Sequence, residues 1–423
     1  MSATVPDQAG ASARVGGNRA WLVWGLAVTF VVYYFSFQTG YAIVNPRVQE
    51  DTGLSVVQVA TVAAVYTWVF AICQFFSGAL LDRLGAGKVL PVAIALVTVG
   101  IFVFATATDY TTLLLSQLII AVGACSGFVG AGYVGGQWFG MAKFSFMFGL
   151  VQFAASFFSA FHQNLLGLAL QTIPWRELFT FIGVFGIGLF VLSALFIRNP
   201  TPIERPEQSL PAFLGSVIGS IVQVAKIPHV WLAAAFGALC FGVMLALGVV
   251  WGPKLLQVRG FDTSTANWSA SLLWLGLAAG CLVLPKWSDV IRRRKLPILV
   301  GIVVQAIALA MLLYLPGLSA PLAMALCFLF GFANAAHMLA FSTAADVVQP
   351  SQIGTSAALV NGMMFIVGGI MISRPGVRIG IGLEGGLGTK SLELAQFAAW
   401  PLIAAIVLAF PIALLMRETY PRA

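Results

Sequence analysis

Twelve stretches of about twenty mostly apolar residues run through this chain, each long enough to cross roughly 30 Å of hydrocarbon as an α-helix. Six fall near 21–44, 57–80, 89–107, 112–136, 144–169 and 177–197. Six more follow near 229–252, 265–285, 296–315, 321–345, 355–374 and 395–416. The pattern predicts an all-α membrane protein. Composition points the same way: 60% of the residues are hydrophobic and 9% charged, whereas soluble domains carry about 25% charged residues. The lipid bilayer is therefore the expected surrounding. A net charge of +8 would suggest nucleic acid in a soluble protein, but topology accounts for it here, and no nucleic-acid partner is expected.

The two sets of spans are separated by residues 198–228, which open on Arg198-Asn199-Pro200 and contain Pro202, Pro206 and Pro211. Prolines in this number end one helix and delay the next. The expected organisation is a tail over 1–20, a six-helix bundle over 21–197, a linker over 198–228, a second six-helix bundle over 229–416 and a tail over 417–423. Within the linker, Leu210, Phe213, Leu214, Val217, Ile218, Ile221 and Val222 recur at helical spacing. They suit either an amphipathic helix at the membrane interface or an ordinary tether with some helical content.

Lys and Arg concentrate on one side of the spans. With both ends inside, roughly fifteen of the 22 basic residues are cytoplasmic, as the positive-inside rule requires. The tails and linker are thus expected in the cytoplasm, and no cleavable signal is evident. The five cysteines lie in apolar stretches without metal-ligand spacing, so they read as packing residues, and no metal or cofactor is expected.

The most specific local pattern is Gly78-Ala-Leu-Leu-Asp82-Arg83-Leu-Gly85-Ala-Gly87-Lys88, where the second span meets a basic loop. A glycine at a span end lets another helix approach, and Gly85 and Gly87 permit a tight turn. A partial copy, Pro285-Lys286-Trp287-Ser288-Asp289 through Lys295, follows the eighth span and aligns Asp289 with Asp82. The first pattern closely resembles the signature loop of the major facilitator superfamily. The resemblance continues through Gln137-Trp138-Phe139, Gly149-Leu150, Gly354-Thr355 and Asn361.

This resemblance implies twelve transmembrane helices in two pseudo-symmetric six-helix bundles, a gating role for Gly78, Asp82, Arg83, Gly85, Lys88 and Asp289, and function as a monomer. It implies that Asp82 meets the start of the eleventh span. It also implies a multi-pass protein of the plasma membrane, the inner membrane of a bacterium, that moves a small-molecule substrate by alternating access. The loops are most similar to those of permeases for organic anions, phosphate esters, peptides or siderophores. Two features depart from better-known members. Gln117 stands where an arginine is often found, and the glycine-proline motif of drug/proton antiporters is absent from 144–169.

Substrate contacts are expected among the few polar residues within spans, because desolvating them needs a reason. Tyr34, Gln38, Tyr41 and Asn45 share one helical face, as do Gln152, Ser156, Ser159 and Gln163. Tyr66, Trp274, Asn334, His337 and Asn361 complete the candidates. The plainer alternative is that these groups bond neighbouring helices. No Asp or Glu lies deep in a span, which leaves His337 and His162 as the embedded candidates for carrying a proton. Proton coupling, exchange and facilitated diffusion all remain open. The expected function is transport of a small polar organic solute. Efflux of amphipathic compounds is the alternative, and a transport-derived sensor or membrane enzyme is the alternative from another class. An enzyme would need a nucleophile, metal or acid/base cluster, and none is visible.

Overall fold

A computed structural model describes residues 16–201, 209–389 and 391–420. The linker positions Glu204 and Glu207, most of the first tail and the last three residues lie outside the described residues. Among the described residues, twelve helices are long and apolar enough to cross a membrane. The first six are α1 (Asn18–Thr52), α2 (Val56–Leu84), α3 (Ala86–Thr106), α4 (Tyr110–Phe139), α5 (Phe144–Ala169) and α6 (Trp175–Phe196). The linker contributes α7 (Leu210–Ala225). The rest are α8 (Pro228–Val258), α9 (Thr263–Val290), α10 (Lys295–Tyr314), α11 (Ala320–Ala345), α12 (Ile353–Glu384) and α13 (Leu392–Leu415).

Phe158, Leu165, Phe181, Leu195, Ile307 and Leu408 are exposed on the outside of the bundle. A water-soluble protein would not present such a belt, whereas a bilayer solvates it. The two chain ends share one face of the molecule, here the terminal face. Gly16 N donates to Trp138 O, Trp138 Nε1 donates to Arg198 O, and Glu418 accepts from Arg294 N and Lys295 N at the other half's end of the same face.

Four of the helices that start at the opposite face carry side-chain caps of their own. Ser55 and Gln58 form a reciprocal capping box on α2, and Asp109, Asp262 and Ser391 accept from the first turns of α4, α9 and α13. Side-chain hydrogen bonds from Thr112 and Thr265, followed by those from nearby backbone N–H groups, hold the Asp109 and Asp262 carboxyls below the usual carboxylate range. Helix α12, which starts at the terminal face, has no cap within its own sequence.

Two helix ends differ from the sequence expectation. Helix α1 continues past residue 44 and through Pro46 to Thr52, stopping where Gly53 takes a left-handed φ of 66°. Helix α12 continues past 374 to Glu384, so Arg374 and Arg378 lie within it. The Arg378 guanidinium sits 3.8 Å from the Phe397 ring centroid and donates to the Phe397 carbonyl, which ties α12 to α13.

Three spans are broken inside the bundle: α4 at Cys125–Ser126, α8 by a π turn at Leu247–Trp251 and α11 by a 3-10 turn at Ala335–Met338. The α8 break precedes Pro253, which lacks an N–H and crowds the carbonyl four residues back. Elsewhere backbones touch. A Cβ on Gly331 of α11 would strike the Leu273 carbonyl of α9, and one on Gly276 of α9 would strike the Phe328 carbonyl of α11. This reciprocal contact joins the two helices along their length. Gly123 of α4 lies in the same way against the Ala93 carbonyl of α3.

Candidate functional site

The two halves meet through α2 against α12 and α5 against α9. At the terminal face the Asp82 carboxylate supplies the cap that α12 lacks. Its Oδ1 accepts from Gly354 N at 2.9 Å, and its Oδ2 accepts from Thr355 N and Thr355 Oγ1, both at 2.8 Å. A helix start carries unpaired N–H groups and partial positive charge, so an anion from the other half binds there. One turn earlier, Gly78 rests against the Gly354 carbonyl and the Ala358 methyl. Ser145 Oγ lies 2.5 Å from Ser342 Oγ, and the Phe148 and Phe341 rings stack at 4.9 Å. The halves are closed together at this face.

Arg83 turns from the seam to the linker helix, donating from Nε to Ser216 Oγ at 2.7 Å and also to the Ser216 carbonyl. Helix α7 in turn reaches the start of α12, where Ser220 Oγ lies 3.2 Å from Thr355 Oγ1 and Gln352 Nε2 donates to Gln223 Oε1 at 2.6 Å. Gly85 adopts φ 74°, and the Asn199 side chain covers it and accepts from Gly87 N at 3.1 Å. Lys88 is exposed beside this turn.

The second copy of the pattern has a different setting. Asp289 pairs with Arg294 of its own half at 2.6 Å, and Arg294 also lies 3.5 Å from Asp346 and under the Tyr420 ring. Burial raises the Asp346 carboxyl above the usual carboxylate range, with Arg294 opposing the shift. Where the first copy uses Gly78 for close approach, the second carries Pro285, and Gly149 of α5 lies against the Cys281 carbonyl and the Pro285 ring instead.

Away from the terminal face, a cavity of about 170 Å³ lies between the halves. Gln38, Tyr41 and Asn45 of α1, Tyr66 and Thr67 of α2, Gln117 of α4, Val249 of α8 and Gly369 of α12 line it. Gln38 Oε1, Tyr41 Oη, Asn45 Oδ1 and Tyr66 Oη are buried there without a protein hydrogen-bond partner. Buried polar atoms are nearly always satisfied, so a cluster of orphans around one cavity marks a place for a polar ligand or water.

A smaller pocket of about 20 Å³ lies nearer the closed seam and is walled by Tyr34, Gln152, His337 and Asn361 with Phe128, Phe241 and Phe341. Gln152 Nε2 donates to Ser156 Oγ at 2.9 Å, and Asn361 Nδ2 has no protein partner. His337 Nδ1 lies 2.7 Å from the Asn334 carbonyl oxygen. A carbonyl only accepts, so Nδ1 carries the hydrogen and Nε2 is the acceptor of the neutral ring. Phe35 and Phe365 border both spaces and divide them.

Of the sequence candidates, Gln38, Tyr41 and Tyr66 share the larger space and Tyr34, Gln152, His337 and Asn361 the smaller. Two others hold helices together. Trp274 donates to the Gly248 carbonyl at 3.2 Å, and Asn334 donates to the Cys240 carbonyl at 2.8 Å and to Gln305 Oε1 at 2.7 Å. His162 packs beside Gly40 and lines neither space, and the Gln163 side chain lies outside the described residues. Phe35, Phe365 and Thr67 were not among the sequence candidates. A phenylalanine in an apolar helix carries no signal of its position, while Thr67 follows Tyr66 directly and could have been weighed with it.

The sequence pattern of the Major Facilitator Superfamily matches residues 26–372. The chain belongs to this superfamily. Within the superfamily it is 23% identical over 248 residues to a probable sulfoacetate transporter of Cupriavidus necator, covering 56% of this chain and 58% of that protein. It is 23% identical over 326 residues to a probable galactarate/D-glucarate transporter of Bacillus subtilis, covering 69% of this chain and 72% of that one. It is also 24% identical over 181 residues to a multidrug resistance protein of Klebsiella pneumoniae, covering 43% and 46%. The chain thus spans less than two thirds of the first of these relatives.

Proposed function

We propose that this protein is a secondary transporter that carries a small polar organic solute across the plasma membrane by alternating access. The terminal face is cytoplasmic in this reading, the monomer is the working unit, and the conformation described is closed to the cytoplasm. The observation that carries the reading is the set of orphaned polar atoms on Gln38, Tyr41, Asn45 and Tyr66, gathered in one space between the halves while the terminal face is sealed. The Cupriavidus and Bacillus relatives are named for sulfoacetate and for galactarate/D-glucarate, and it is the compactness of these organic acids, not their charge, that supports this reading. The cavity is smaller than the roughly 300–1,000 Å³ of common ligand pockets, which also favours a compact solute.

Counterflow in proteoliposomes tests this without assuming a driving gradient. Gln38→Ala is expected to lower counterflow at least about tenfold, since a hydrogen bond to a buried ligand group is worth roughly 1–3 kcal/mol. Tyr41→Phe is expected to act in the same direction. Wild-type rates in both variants would remove the larger cavity from the substrate path.

Coupling is assigned to His337, which borders the smaller pocket at the break in α11. An imidazole placed there can change charge as its exposure alternates between the two sides. His337→Gln is expected to abolish proton-driven accumulation by at least about tenfold while sparing counterflow. Proton-driven accumulation at the wild-type level would eliminate His337 as the coupling group.

A further inference from the structure

We propose that the solute bears no net charge: a neutral hydroxyl- or amide-bearing molecule, or a zwitterion, rather than a carboxylate or sulfonate anion. This rests on the transport reading above and narrows it.

The walls of the larger cavity come from α1, α2, α4, α8 and α12. No Asp, Glu, Lys or Arg is among the described residues that line it, and the nearest along the wall helices, Arg47 and Arg374, lie two positions beyond the lining residues Asn45 and Ile372. Nor does any occur in 144–175 or 296–345, which bring Gln152 and His337 to the smaller pocket. An anion moving into this space would leave water and meet no fixed countercharge. Uncompensated charge within a membrane bundle is strongly disfavoured. His337 does not supply the missing cation to the larger cavity, because Phe35 and Phe365 stand between them and its Nδ1–H is already given to the Asn334 carbonyl.

Hydrogen-bond chemistry leads to the same class. The orphaned atoms are the amide oxygens of Gln38 and Asn45 and the phenolic oxygens of Tyr41 and Tyr66. In the orientation described, each amide turns its oxygen, an acceptor, toward the cavity. A carboxylate or sulfonate is acceptor-only and would leave both amide oxygens facing it unpaired. Hydroxyl, amide and ammonium groups donate, and a molecule that carries them beside an acceptor can pair with all four side chains. The uncharged polar lining therefore fits a solute that both donates and accepts and whose charges, if it has any, cancel.

The test is counterflow by the purified full-length protein in proteoliposomes, using probes of nearly equal size that differ in charge. Suitable pairs are galactose with galacturonate, glucuronamide with glucuronate, and the zwitterion serine with glycerate. The expected result is counterflow of the uncharged or zwitterionic member of at least one pair, with its anionic counterpart slower by about tenfold or more. An anion moving as fast as or faster than its partner would overturn the inference and leave the transport reading standing. If no member of any pair moved, the assignment of a small polar solute would fail and this inference with it.

Discussion

Replacing Asp82 with Asn is expected to leave the protein folded and inserted while reducing counterflow at least about tenfold. The carboxylate accepts two backbone N–H groups and one hydroxyl at the start of α12, a helix with no cap of its own. Hydrogen bonds to a charged group contribute roughly 1.5–3 kcal/mol each. What matters for the cycle is the part lost when the two halves separate at that face. An asparagine keeps one acceptor but turns an amide NH₂ toward a helix terminus that favours negative charge. A differential loss of about 2 kcal/mol would change the ratio of the two conformations roughly thirtyfold. Spin labels at Lys88 and Arg293, both exposed at the terminal face, read this directly. The distance distribution in Asp82→Asn should shift to longer values. If distances and counterflow both matched wild type, Asp82 would not hold the halves together.

A second large effect is expected from Gly78→Val. A side chain at this position is driven into the Gly354 carbonyl and the Ala358 methyl across the seam. Overpacking typically costs about 1–3 kcal/mol. Here the strain has a direct release, because α2 and α12 belong to different halves and can move apart without either half losing its own packing. The expected result is a persistent opening at the terminal face and a tenfold or greater fall in counterflow, roughly what that strain corresponds to. Thermal stability of the detergent-solubilised protein should change little. Gly78→Ala should give a graded, weaker version. Unchanged label distances in the Val variant would show that the seam yields elsewhere.

The fold was legible because a membrane span is a long, one-signed signal. Each of the twelve apolar runs has a helix at its place, and the pattern around Asp82 pointed to its partner on α12. Helix ends were less legible where a turn-forming residue lay inside a helix. Asn45-Pro46 and Arg374-Pro375 look like stops, yet α1 and α12 pass through them, since one missing N–H removes a single bond from a helix held on both sides by packing. Partners between distant segments left no trace in the sequence. Arg83 is basic in any loop, and only the position of α7 gives it to Ser216. The candidate site was half legible for the same reason. Polar residues on one face of α1 stand out against an apolar background and do meet in one cavity. Asn334 stands out equally and is spent on α8 and α10. Phe35 and Phe365 shape the space without standing out at all.

The reciprocal glycine contacts between α9 and α11 bear on how motion passes through the molecule. Two helices whose backbones touch at Gly276 and Gly331 cannot slide or splay without losing that fit, so the pair behaves as a stiff beam. Helix α9 is 28 residues long, which at about 1.5 Å per residue makes the beam roughly 42 Å from end to end. Helix α5 of the other half packs along this beam, with Gly149 against Cys281 and Pro285, so when the halves move relative to one another α9 and α11 are displaced together.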